Sequence, residues 1–145
     1  METLNFLQPG DVLIGLAVDD KPRLLYELAV RAAARGGLDA EDVLAAVTQR
    51  EALGSTGVGR GIAMPHARLS ALTRPTGAAA TLRRPIDFDA IDGAPVDLAL
   101  LLLLPAGGTP INVLAACARQ LRDEVVAVRA RAARTPADFV AALRG

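Results

Sequence analysis

The chain has 145 residues, room for one domain with a sizeable core, and 52% of them are hydrophobic, which separates it from disordered chains. Its 16 basic residues balance 16 acidic ones and aromatics are 3%, so it has neither the basic footprint nor the stacking platforms of a nucleic-acid binder. A single cysteine, Cys117, excludes a disulfide within the chain and, set in the apolar stretch INVLAACARQL, reads as a small buried residue.

The opening METLNFLQPGD lacks a basic segment followed by an apolar one, so no signal peptide is expected. Residues 98–104 form the most apolar run, too short to span a bilayer and stopped by Pro105. A cytoplasmic chain with no membrane insertion is the expectation. No repeat, low-complexity tract or linker interrupts residues 1–145, which read as one domain.

In chain order, residues 11–18 (DVLIGLAV) predict a short strand between Gly10 and Asp19. Residues 21–35 predict a helix: Leu24, Leu25, Leu28, Ala29 and Ala32 recur at helical spacing, and Gly36-Gly37 ends it. A second helix is predicted over 39–52, with Asp39 as cap and Val43, Leu44 and Val47 as its apolar side. A glycine-rich loop, 54–61, and a brief apolar piece, 62–64, follow. Residues 76–82 and 97–104 predict strands, and 83–95, with its Pro, Asp and Gly, a turn region. Thr109-Pro110 predicts a helix start with the helix running to 122; another covers 124–133; Thr135-Pro136 opens a last one through 143. Helices before, between and after strands indicate an α/β sandwich with strand 98–104 buried on both faces. Strand order is left open by this pattern.

Residues 50–68, REALGSTGVGRGIAMPHAR, carry the chemistry. Four glycines (Gly54, Gly57, Gly59, Gly61) let backbone N–H groups turn toward an anion. A Walker A loop is excluded because Arg60-Gly61 stands where Lys-Ser/Thr is required, and the dinucleotide pattern fails at Ile62. What remains is a glycine segment leading to Pro65 and to His66, the only histidine in the chain. A neutral imidazole accepts a phosphoryl group without a separate base, and Arg50, Arg60, Arg68, Ser55 and Thr56 supply charge and hydroxyls for the moving oxygens. One histidine with no surrounding carboxylate cluster makes a poor zinc site, so neither metal nor cofactor is expected. Residue chemistry leaves two readings of His66 open: a phosphoryl acceptor, or a structural histidine bonded to a backbone carbonyl. Arg50 is open as well to being a solvated helix residue paired with Glu51 or another neighbour.

The run REALGSTGVGRGIAMPHARL resembles the active-site signature of enzyme IIA domains of the phosphoenolpyruvate-dependent phosphotransferase system, of the mannitol/fructose type including its nitrogen-regulatory branch. The resemblance extends through KPRLLYELA, the strand ending LLLLP, the helix NVLAACARQLRD and the closing TPADFVAAL. It implies a mixed, mainly five-stranded α/β sheet flanked by helices. It implies phosphorylation of His66, normally on Nε2, with Arg50 steadying the phosphate and Ser55, Thr56, Gly57, Gly59, Gly61, Pro65 and Arg68 shaping the pocket. The donor would be a histidine-containing phosphocarrier protein, docking on a shallow, largely apolar surface around His66. The acceptor would be a cysteine of a sugar-specific enzyme IIB, as in sugar transport, or a regulated partner protein in the nitrogen-regulation branch. A docking module that regulates a partner without phosphoryl transfer is the contrasting expectation. The second histidine carried by many members aligns with Pro110, and Thr109 and Asn112 are the neighbouring side chains that could stand in for it.

Overall fold

The computed structural model describes residues 4–107 and 112–144; Thr109 and Pro110, and with them the predicted helix start, lie outside them, as does the side chain of Asn112. Among the described residues, six strands and five helices follow in the order β1 (Val12–Leu16), α1 (Lys21–Gly36), α2 (Ala40–Ala52), β2 (Gly57–Gly59), β3 (Ile62–Ala63), β4 (His66–Leu69), β5 (Thr76–Ile86), β6 (Val96–Pro105), α3 (Asn112–Arg122), α4 (Glu124–Ala132) and α5 (Pro136–Arg144).

Local chemistry explains the helix boundaries. The Asp20 carboxylate caps α1 through the Arg23 N–H, and Gly37, at a φ of 67°, closes it in the left-handed conformation that glycine adopts without strain. Asp39 caps α2 by accepting from the N–H groups of Glu41 and Asp42. Asp123 does the same for α4, and the Thr135 hydroxyl accepts the Asp138 N–H at the start of α5.

The sheet is mixed, with order β1-β5-β6-β3-β2 and β4 also paired to β6. Strand β6 is central: antiparallel to β5, parallel to β3 at Leu98 and Ala99, and parallel to β4 from Leu102 to Pro105. Its side chains alternate between two cores, as strand periodicity requires. Leu98, Leu100, Leu102 and Leu104 pack with Cys117 and Leu121 of α3, Ala130 of α4 and Phe139 of α5. Ala99, Leu101 and Leu103 pack with Leu24 and Leu28 of α1 and Val43 and Val47 of α2. The expected strand buried on both faces and the helices covering both faces are thus present.

Three details differ from the sequence reading. The main path of the sheet has the five strands expected, and residues 66–69, following Pro65, add a sixth, β4, off that path. Its pairing to β6 is non-local, and four residues are too few to show a period. Residues 83–86 belong to β5 instead of a turn: Arg83, Arg84 and Pro85 are exposed while Ile86 is buried against Val96. The register slips between Thr81 and Ile86, which is where a proline fits a ladder. The glycine loop itself contains a hairpin, β2 to β3, turned by Arg60 and Gly61 at φ values of 59° and 79°.

Candidate phosphoryl-acceptor site

His66 opens β4 and is half-buried. Its Nδ1 lies 3.0 Å from the Met64 carbonyl oxygen. A carbonyl only accepts, so Nδ1 carries the donated proton, and in the neutral imidazole Nε2 keeps the lone pair. The carbonyl contact that a structural histidine would make is present, and it is also what leaves the other nitrogen nucleophilic.

His66 borders a cleft of about 560 Å³ that Arg50, Ser55, Thr56, Gly57 and Gly59 also line. Arg50 sits in the last turn of α2, and its Nη1 donates to the Gly54 carbonyl at 3.1 Å. It does not pair with Glu51. Arg68, two residues along β4, is exposed; it shares a second groove with Arg50 and His66 and donates from Nη1 to the Pro105 carbonyl at 3.3 Å. Pro65 is buried, and its carbonyl accepts the Leu102 N–H at 2.9 Å, which fixes the strand just before His66. Pro65 and Gly61 line neither cavity. Gly61 sits at the hairpin turn, where its carbonyl accepts from Asp97 and Leu98. Arg60, at the same turn, is exposed and lines neither cavity.

The glycine segment is held from within. Ser55 donates its hydroxyl to the Phe88 carbonyl at 3.1 Å and accepts the Gly57 N–H at 3.1 Å. Thr56 is buried; its N–H donates to Glu51 Oε1 at 3.2 Å and its hydroxyl to Glu51 Oε2. The Arg60 N–H donates to Asp92 Oδ2 at 3.0 Å. The N–H groups of Thr56, Gly57 and Arg60 are therefore held by the chain's own side-chain oxygens. Hydrogen bonds from Arg60 and then Ala94 hold the Asp92 carboxyl below the usual carboxylate range. A glycine is required at 57, because a Cβ there would lie 2.7 Å from the Ala90 Cβ.

The far wall is apolar. Leu114, Ala115 and Ala118 of α3 face Val58 and Met64, and Arg122 extends the same helical stripe. Ile91, 91% exposed, stands at the rim. The sequence reading did not single out Glu51, Lys21, Asp92 or Arg122. The signal for Arg122 was its spacing of four and eight residues from Ala118 and Leu114. Glu51 gave none, because the cation that neutralises it, Lys21, is thirty residues away and its bonds to Thr56 follow no local pattern.

A family model described as "Phosphoenolpyruvate-dependent sugar phosphotransferase system, EIIA 2" matches residues 5–145. The chain belongs to this enzyme IIA family. It is 43% identical over 136 residues to a nitrogen regulatory protein of Bradyrhizobium diazoefficiens, covering 92% of this chain and 89% of that one. Among solved structures, the nitrogen regulatory protein IIA-Ntr of Neisseria meningitidis superposes with a TM-score of 0.92 at 30% identity over 99% of both chains. Enzyme IIA of mannitol from Escherichia coli, solved in complex with phosphorylated enzyme IIB, superposes at 0.79 with 18% identity, covering 96% of this chain and 97% of that chain. This last likeness concerns the fold alone. The enzyme IIA resemblance and its nitrogen-regulatory branch are thus matched by relatives along nearly the whole chain. Among the described residues, no helix of this enzyme IIA is long and apolar enough to cross a membrane.

Proposed function

We propose that the protein is a phosphocarrier of the nitrogen-regulatory type, which takes a phosphoryl group on His66 Nε2 from a histidine-containing phosphocarrier protein. The observation that carries this reading is the Nδ1–H bond to the Met64 carbonyl, beside a cleft that Arg50 also lines. The Nε2 lone pair attacks the phosphorus of the donor's phosphohistidine. The new N–P bond forms as the donor's N–P bond breaks, and the leaving electron pair returns to the donor imidazole. Charge spreads over the equatorial oxygens in this transfer, and Arg50, which lines the same cleft as His66, supplies positive charge to stabilise it. The apolar wall around Val58, Met64 and Leu114, with Ile91 at the rim, offers the donor a docking face and keeps water from the transferred group.

The test is incubation with phosphoenolpyruvate, enzyme I and the phosphocarrier protein, read by intact mass. Acid-labile addition of a single phosphate, absent from His66→Ala, is the expected result. No addition from the cognate donor overturns the reading and leaves the docking module. A sugar-linked role is the second reading, favoured by 36% identity over 149 residues to part of an Escherichia coli EIIABC component specific for 2-O-alpha-mannosyl-D-glycerate. Onward loss of phosphate to a IIB cysteine would mark it.

A further inference from the structure

We infer that Glu51 is a positioning residue for His66, acting through hydrogen bonds that run from its carboxylate under the glycine segment to the imidazole; this rests on His66 being the phosphoryl acceptor. Glu51 stands next to Arg50 at the end of α2, but its side chain turns inward and is 5% exposed. A carboxylate buried to that degree is stable only when its charge is matched and its lone pairs are filled. Lys21 Nζ meets both needs, 2.8 Å from Oε1. Lys21 is itself seated 4.5 Å from the centre of the Phe88 ring and donates to the Phe88 carbonyl at 3.3 Å.

The remaining acceptor capacity of Glu51 is used by one residue, Thr56, through both its N–H and its hydroxyl. The Thr56 carbonyl accepts the Met64 N–H at 2.9 Å. The Met64 carbonyl accepts the Nδ1–H of His66 at 3.0 Å. Glu51, Thr56, Met64 and His66 are thus linked in series, and the last link selects the tautomer. Without the carboxylate, two buried donors of Thr56 lose their acceptor, the loop must shift to find water, and the Met64 peptide loses its anchor. An imidazole freed from a fixed acceptor populates both tautomers, and the Nε2–H form has its lone pair on Nδ1, leaving none at Nε2 to meet phosphorus.

The test reads the tautomer directly, from nitrogen–proton correlations of the His66 ring by NMR, alongside the rate of phosphoryl uptake. Wild type shows Nδ1–H. Glu51→Gln keeps the volume, but its single oxygen cannot serve Lys21 and both Thr56 donors. The expected result is a mixture of tautomers with uptake slowed about tenfold or more. Thr56→Val loses the hydroxyl donor and shifts in the same direction, while Thr56→Ser restores the wild-type spectrum and rate. Should Glu51→Gln not fold, the Thr56 pair decides. A folded Glu51→Gln that keeps Nδ1–H alone overturns the inference, whatever its uptake, as does Nδ1–H alone in Thr56→Val if that variant decides. The ring spectrum needs no phosphate donor, so failure of wild type to take up phosphate sinks the acceptor reading separately.

Discussion

Arg50, the proposed phosphate-stabilising cation, does little to hold up the fold. Its guanidinium lines the cleft beside His66, and its bond to the Gly54 carbonyl lies at the surface, where a hydrogen bond contributes about 1 kcal/mol or less. Truncation therefore separates function from stability. Arg50→Ala should slow phosphoryl uptake by about 100-fold, the cost of removing one preorganised charge from a transition state. Its urea midpoint should stay close to wild type. An equal fall in both would mark Arg50 as structural. Arg50 and His66 were legible in the sequence because both lie in one contiguous signature. Glu51, inside that same signature, was not, because Lys21, which neutralises it, comes from a distant segment and is itself seated on Phe88 from another, so only folding brings them together.

The glycine segment behaves as a hairpin and its supports. Arg60 and Gly61 both take positive φ, the pairing a two-residue turn between strands demands. At Gly61 the left-handed backbone combines with crowding: a Cβ would lie 2.9 Å from Arg131 Nη2 and 3.2 Å from Asp97 Oδ1. Arg131 Nε pairs with Asp97 Oδ1 at 2.9 Å, and Arg131 Nη2 donates to the Arg60 carbonyl at 2.7 Å. Gly61→Ala should lower unfolding free energy by about 1–3 kcal/mol, checked by denaturant titration. A neutral outcome would show that the hairpin turns without this conformation. The sequence placed the glycines and suggested N–H groups turned toward an anion. It did not show that the N–H groups of Thr56, Gly57 and Arg60 bond to Glu51, Ser55 and Asp92.

Across the whole molecule, β6 separates two apolar cores, and Cys117 lies fully buried in the one covered by α3, α4 and α5. Burial pushes its thiol up from 9.0 to about 11. The unfolded chain then ionises first on raising the pH and binds fewer protons than the native state. The stability from this thiol is complete below pH 9.0 and is lost as pH rises toward about 11. Urea midpoints measured across that window should fall more for wild type than for Cys117→Ala; parallel falls would show no contribution from the thiol. Sequence alone determined the helices, since caps, glycine stops and a 3.6-residue period are local, and it determined the apolar central strand, the buried cysteine and the signature around His66. It could not determine strand order, the short β4 or the continuation of β5 through Pro85, because pairing joins residues that no local pattern relates. Nor could it determine which nitrogen of His66 carries the proton. That depends on where the Met64 carbonyl points, and the bond from Met64 to Thr56, together with the Glu51 carboxylate beneath it, exists only once the chain has folded.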